Sequence, residues 1–550
     1  MTPERSPALD PVEALFRRLE QLNEIGAALS QERNLDGLLE RILIAAKTIT
    51  EADGGTLYLR TEGDRLSFAI MRTDSLGIAL GGTTGKPVTF YPIHLRNREG
   101  EPNYQMVAAY AALTGKTVNI ADAYSEAGFD FSGTRNFDRK SGYRSKSFLT
   151  VPMRDHQGVV IGVLQLINRI QHGSNNIVGF SEADQRLAES LASQAAIAIT
   201  NRQLIDQLEA LFESFIKLIN TAIDEKSPYT GGHCQRVPEL TMMLAEAVNE
   251  TREGPFADFV MSDEDRYELR IAGLLHDCGK VTTPVHVVDK ATKLQTIFDR
   301  IGLVDTRFEV VKRDAEIAAL REKLAAPANA NAEWQKADRD LTVRLRKINE
   351  DRQFLRFCNF GSEAMRDDDQ ERVREISRNY RWRDVDGNNA EFLTEDEARN
   401  LTIRSGTLTP EERQTINHHI EVTIKMLESL PWPRHLKNVP EYAGGHHERM
   451  DGKGYPRGLT REQMSVQARV MGIADIFEAL TAKDRPYKKG KTLTESLNIL
   501  GRFKLNGHVD PDLFDVFVRE KVYLRYAEQF LDPEQIDVVD ESAIPGYSSR

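Results

Sequence analysis

The stretch IAGLLHDCGK sets His276 beside Asp277 at the end of an apolar run, with Lys280 shortly after them. If that run is a buried helix, the three side chains share one face, because residues three and four apart are neighbours on a helix surface. An imidazole and a carboxylate beside a cation make a candidate metal site. A lone His-Asp pair also serves as a simple helix-end cap. INHHIEVTIKML, EYAGGHHERMDGKGYP and ARVMGIADIFEALTAKDRPYKKG strengthen the metal reading by adding His418 and His419, the pair His446 and His447, and Asp475. Five of the twelve histidines lie in these stretches and the His-Asp segment. Asp475 interrupts an otherwise apolar helix, where a buried carboxylate without a partner is costly, and a bound cation removes that cost. Imidazoles and carboxylates without thiolates suit iron, manganese, zinc or nickel and exclude a sulfur-rich structural zinc site.

Residues 12–32 form an amphipathic helix, and a second runs from Leu35 to Ile49. Between about 55 and 170, strand-like segments (GGTLYLR, RLSFAIM, KTVNI, KSFLTVPM, VVIGVLQLI) alternate with Gly and Asp turns, which predicts an antiparallel sheet packed on helices. A long helix begins at Ser181. Its apolar residues Leu187, Leu191, Ala195, Ile199, Leu204, Leu208, Leu211, Phe215 and Leu218 are spaced in threes and fours, apart from one longer step across Thr200 to Gln203. That repeat predicts a coiled-coil pairing with a second copy of the chain, the plainer alternative being a helix half buried on its own domain. After Pro228 strand signals nearly vanish, so the second domain is expected to be all-α. Within it, residues 300–400 read as two charged helices around the turn APANANA, a hairpin inserted into the domain whose charge is a solvated face.

The chain has 550 residues, 40% hydrophobic and 28% charged, which predicts a folded protein of several domains. A net charge of −12 argues against broad binding to DNA or to anionic membrane, so an anionic substrate needs locally concentrated positive charge, which metal ions supply. No run of about 18 apolar residues predicts a membrane span, and the first residues lack a signal-peptide pattern. The expected location is the cytoplasm. Cys234, Cys278 and Cys358 have neither metal-site nor redox spacing and are expected to be reduced.

HDCGK with HHERMDGKGYP resembles the HD-GYP subgroup of the HD phosphohydrolase superfamily. The upstream PYTGGHCQRV and downstream ADIFEALTAKDRPYK follow in family order, and the similarity covers about 223–305 and 400–530. The resemblance implies a metal-dependent phosphodiesterase that hydrolyses cyclic di-GMP to the linear dinucleotide pGpG or to GMP. It implies His233, His276, Asp277, His419, His446, His447 and Asp475 as metal ligands, with Asp277 bridging two divalent ions, iron or manganese before zinc or nickel. His419 rather than His418 matches the ligand position, since its neighbour points about 100° away around the helix. Lys280, Arg485 and Lys488 match positions facing substrate phosphate, and Gly452, Gly454, Tyr455 and Pro456 shape the loop beside the site. Two cations at such a centre activate water and neutralise phosphate oxygens, so no nucleophilic side chain is required. Two alternatives stay open: a catalytically weak signalling module, and a hydrolase of another cyclic dinucleotide.

The sequence departs from the family twice. VVDKATKL and SGTLTPEE, normally one continuous segment, are separated by the insertion. Tyr229 stands where some members carry a glutamate that helps hold a third metal.

NIADAYSEAGFDFSGTRNFDRKSGYRSKSFLTVPM, with GVLQLINR and GFSEADQRL, resembles a GAF domain, particularly those of cyclic-nucleotide phosphodiesterases. Asn168, Arg169, Phe180 and Asp184 approximate that subgroup's signature, with Gln185 replacing an acid. The resemblance implies a cyclic mononucleotide ligand, a ligand-free dimerisation module being the alternative. The expected organisation is an N-terminal helix (1–32), an α+β GAF domain (33–185), a connecting helix (186–222), an all-α HD-GYP domain (223–535) with its insertion, and a tail (536–550). A homodimer regulated by its GAF domain is expected.

Overall fold

The computed structural model describes residues 24–28, 32, 34–97, 99–171, 174–226, 232–327, 331–361, 364–483 and 490–548. Most of the helix expected over 12–32 lies outside them, as do Tyr229, Arg485 and Lys488. The chain divides between Phe212 and Glu213 into two units.

The first unit begins with helix α1 (Leu35–Thr50), whose N-cap Asn34 accepts from the backbone of Asp36 and Gly37. Strands β1 (Ala52–Thr61), β2 (Arg65–Thr73) and β3 (Ile78–Gly81) follow, then the short β4 (Ile93–His94), α2 (Val107–Thr114), β5 (Val118–Ile120), α3 (Ser132–Ser141), β6 (Phe148–Arg154), β7 (Val160–Ile170) and the short β8 (Ile177–Val178). The strands form one antiparallel sheet in the order β3-β2-β1-β7-β6-β5, with β4 pairing β2 and β8 pairing β7. Leu38, Ile42 and Ala46 of α1 pack with Leu57, Leu164 and Leu166 of the sheet into one core. A second core joins α2 to Tyr58, Leu66 and Val163.

Helix α4 (Glu182–Lys226) is continuous over 45 residues. Its apolar repeat serves two purposes. Leu187, Leu191, Ala195 and Ile199 are buried in the core of the first unit. Leu208, Leu211, Phe215 and Leu218 instead face outward, 60–65% exposed.

The second unit is built around α5 (His233–Glu250), which packs against α6 (Asp263–Leu275). Further on come α7 (Val285–Val288), α8 (Ile301–Ala325), α9 (Asn331–Asn359), α10 (Asp367–Asn379), the strand pair β9 (Arg381–Arg383) and β10 (Asn389–Glu391), α11 (Glu395–Leu401), α12 (Pro410–Glu428), α13 (Val439–Gly444), α14 (Val466–Thr481), α15 (Leu493–Leu505), α16 (Pro511–Arg519) and α17 (Val522–Phe530). α14, α16 and α17 also pack on α5. Leu240, Leu244, Ile473, Phe477, Phe514 and Phe517 are among its buried residues, and the Phe477 ring meets Phe517 at 5.0 Å. Helix starts are well specified: Ser262 with Asp265, and Thr409 with Glu412, form reciprocal capping boxes at α6 and α12.

The HDCGK segment is not one helix. α6 ends at Leu275, and Cys278–Thr282 form a 3-10 turn. The cause is a contact distant in sequence. A Cβ on Gly279 would lie 2.0 Å from the His419 carbonyl, and the Gly279 amide donates to Thr423 Oγ1 at 2.9 Å. The chain must leave the helical path to rest on α12, and only glycine permits that approach.

The insertion is more than the expected hairpin. α8 and α9 form that hairpin, with Trp334 Nε1 donating to the Lys323 carbonyl near its tip at 3.1 Å. α10, the β9–β10 pair and α11 complete a small body with its own core, in which Val304, Phe308, Ile348, Leu355, Val373 and Phe392 are buried. Its two ends meet. Buried Lys293 donates to the carbonyls of Leu401 and Ile403 at 3.1 and 2.7 Å, and Thr407 Oγ1 donates to the Lys290 carbonyl at 2.8 Å. Among the described residues, no helix is long and apolar enough to cross a membrane.

Candidate metal centre

The second unit brings all seven expected ligands into one cluster. His233 is the first residue of α5, His276 caps the end of α6 with Asp277 next to it, and His419 lies on α12. His446 and His447 follow α13, and Asp475 lies on α14. Two triads stand out, His233/His276/Asp277 and His419/His446/His447, with the ligand atoms in each within 4.8 Å of one another. Asp277 lies between them. Its Oδ2 is 3.1 Å from His233 Nε2 and 3.2 Å from His276 Nε2, while its Oδ1 is 3.2 Å from His419 Nε2. Asp475 Oδ1 is 3.3 Å from His233 Nε2, and His447 Nε2 is 3.3 Å from His419 Nε2.

Backbone geometry aims these rings. Nδ1 of His276, His419 and His446 donates to the carbonyls of Gly273, Ile416 and Ala443 at 2.7, 2.5 and 2.6 Å, in each case three residues back. A proton fixed on Nδ1 leaves the Nε2 lone pair directed inward. Nε2 of His233, His276 and His446 and Oδ1 of Asp277 are buried without a hydrogen-bond partner. Such groups are expensive to leave unsatisfied, and imidazole and carboxylate donors converging on one space fit a divalent cation. His418 is a surface residue paired with Glu421 at 2.8 Å.

Charge divides the cluster. Burial disfavours protonation of His233, but Asp277, Asp475 and Glu478 outweigh it and hold its pKa well above the ordinary value. Burial and the neighbouring imidazoles instead push His446 down to about 4 and His447 well down, which keeps both neutral and able to ligate. Burial alone would raise Asp277, yet Lys280 and His276 hold it well below the usual carboxylate range. Lys280, on the 3-10 turn, places Nζ 2.6 Å from Asp277 Oδ2.

The loop after the paired histidines forms one wall. Glu448 is buried and accepts the backbone amides of Arg457 and Leu459 at 2.8 and 2.9 Å, which folds the loop back on itself. A Cβ on Gly454 would lie 2.4 Å from the Arg449 nitrogen, so the return requires glycine. Tyr455 stacks on His447, ring centroids 4.9 Å apart, and burial pushes its phenol up to about 12. Asp224 belongs to neither triad, and burial pushes its carboxyl above the usual carboxylate range.

Three residues escaped the sequence reading: Glu478, which bonds His233 through one oxygen and Arg236 through the other, Arg236 itself, and Glu448. The signal for Glu478 was a second acid one turn after Asp475 in the same apolar helix.

In the first unit, Asn168 adopts a positive φ of 57° and is buried, its Oδ1 accepting the amides of Lys146 and Ser147. Arg169 pairs with Asp184 at 2.9 Å, and Phe180 lies in the core. These residues fasten the sheet to the start of α4.

Comparison with known proteins agrees with this architecture. The GAF domain profile matches residues 34–199, and two HD domain profiles match 230–348 and 395–513. The chain therefore carries a GAF domain followed by an HD domain. A 3'3'-cGAMP-specific phosphodiesterase of Vibrio cholerae is 47% identical over 81 residues, 15% of this chain and 19% of that protein. A cyclic di-GMP phosphodiesterase of Pseudomonas aeruginosa is 38% identical over 116 residues, 21% of this chain and 27% of the relative. A second 3'3'-cGAMP-specific phosphodiesterase of Vibrio cholerae is 22% identical over 306 residues, 56% of this chain and 38% of the relative. In each case the match spans well under half of the relative's length.

Proposed function

We propose that the HD domain is a metal-dependent phosphodiesterase that hydrolyses cyclic di-GMP to pGpG or GMP under control of the GAF domain. The observation that carries this reading is Asp277, whose Oδ2 faces His233 and His276 while its Oδ1 faces His419 of the other triad, the arrangement a carboxylate needs to bridge two ions. In this reading His233, His276 and Asp475 hold one ion, His419, His446 and His447 the other, and iron or manganese suits the donor set. Bound ions there supply Lewis-acid neutralisation of phosphate oxygens and activation of water. Lys280 contacts a phosphate oxygen from its place beside Asp277, Arg485 and Lys488 are further phosphate-facing residues by their sequence positions, and Gly454 and Tyr455 keep the loop wall close to the substrate. The Asn168, Arg169, Phe180 and Asp184 group holds together a GAF domain that takes a cyclic mononucleotide, and the exposed face of α4 pairs two copies in the cytoplasm.

The relatives named for 3'3'-cGAMP favour a second substrate reading, since a centre of this kind engages phosphate rather than base. The test is turnover of cyclic di-GMP, 3'3'-cGAMP and cyclic di-AMP by metal-reconstituted protein, with products separated. Preferential cleavage of cyclic di-GMP is expected. Preference for 3'3'-cGAMP would replace the substrate, and no hydrolysis of any of the three would favour a signalling module without catalysis.

A further inference from the structure

Three of the cluster's histidines are aimed by backbone carbonyls three residues back. His233 is aimed by a side chain. It is the first residue of α5, and its Nδ1 meets Glu478 Oε2 at 2.5 Å. Glu478 is fully buried, and its other oxygen accepts from Arg236 Nε at 2.7 Å. Arg236 lies three residues after His233 on α5, and Glu478 lies three residues after Asp475 on α14. The four side chains thus link the two helices, with one carboxylate turned toward the histidine triad and the other behind the imidazole.

We infer that Glu478 is a positioning residue for the metal centre: it fixes the proton of His233 on Nδ1, directs the Nε2 lone pair toward Asp277 and Asp475, and makes this imidazole the most strongly donating of the set. This rests on the metal-centre reading above. A carboxylate behind an imidazole strengthens the ring as a ligand more than a neutral carbonyl does, and removing such a partner typically costs about 10- to 100-fold in metal affinity. Arg236 holds the carboxylate in place and neutralises it, which a buried acid requires.

E478Q separates this role from simple pinning of α5 to α14. Glutamine has one oxygen where two partners need an acceptor. With that oxygen kept on Arg236, the amide NH2 faces His233 Nδ1, which must then accept, and the ring proton moves to Nε2, where it blocks coordination. Calorimetric titration of metal-free full-length protein with Mn2+ should give E478Q a Kd at least about tenfold weaker than wild type. The thermal midpoint of the metal-free protein should stay close to wild type. R236Q, which leaves the Glu478–His233 bond intact, should weaken Mn2+ less than E478Q does. E478Q affinity within threefold of wild type would overturn the inference, and so would equal losses in E478Q and R236Q, which point to pinning alone. If E478Q does not fold, E478D decides, because a withdrawn carboxylate should give a measurable loss and wild-type affinity would refute the role. Wild-type protein that takes up no Mn2+ would instead sink the metal-centre reading itself.

Discussion

Replacing Asp277 by asparagine keeps the shape of the side chain and removes its charge, so it isolates what the carboxylate does. Asp277 is buried, lies 3.1 Å from His233 Nε2 and 3.2 Å from both His276 and His419 Nε2, and accepts Lys280 Nζ at 2.6 Å. Among the described candidate ligands it is the carboxylate placed within reach of both triads. Loss of one partner from a buried charge pair costs about 3–5 kcal/mol. At about 1.4 kcal/mol per tenfold, that is roughly two to four orders of magnitude in metal affinity, and both ions feel it if the carboxylate bridges them. The amide oxygen still accepts from Lys280, so the metal-free fold should survive. Elemental analysis after dialysis, circular dichroism and turnover assays on the same preparation make the test. D277N should be folded, nearly free of metal and inactive. Full metal content with normal turnover would show that the Asp277 carboxylate does not hold the ions.

Lys280→Ala should retain its metal and lose about 100-fold or more in kcat, since one phosphate-facing cation at a dry site is worth several kcal/mol; wild-type kinetics would end that assignment. Replacing residues 295–403 by a short linker should leave metal content intact, because the insertion closes its own core and its ends meet; a soluble, folded, metal-free product would show that the insertion builds the centre. The full chain should run in light scattering at twice its 62.1 kDa, and L208E/L211E should halve that mass; a monomeric wild type, or a double variant that stays dimeric, would contradict pairing through α4.

Candidate ligands stood out because histidines and the carboxylate of Asp475 set in apolar helices demand an explanation, whereas His233 and the choice of His419 over His418 rested on the family resemblance. The same argument applied to Glu478, yet its role depends on Arg236 and on His233 beginning a helix, facts of packing rather than of pattern. The break after Leu275 could not be read locally. The HDCGK periodicity is helical, and the contact of Gly279 with α12, about 140 residues further on, decides against it. The spacing along α4 likewise predicted one continuous seam, but spacing cannot tell a face buried on its own sheet from one left open, and α4 has both in succession. In the insertion the charged hairpin was visible, whereas its core was not. Val373, Ile376 and Phe392 are sparse in a polar stretch and gain meaning only where they meet Phe308 and Leu355.

The proposed function is that of a two-ion phosphodiesterase centred on Asp277. Its most direct test is stepwise addition of Mn2+ to metal-free protein while cyclic di-GMP hydrolysis is followed at each step. Activity should rise to a plateau at two equivalents per chain, Tyr229 being a phenol where a third site would need a carboxylate. Full activity at one equivalent, a plateau at three, or no hydrolysis at any ratio would contradict it.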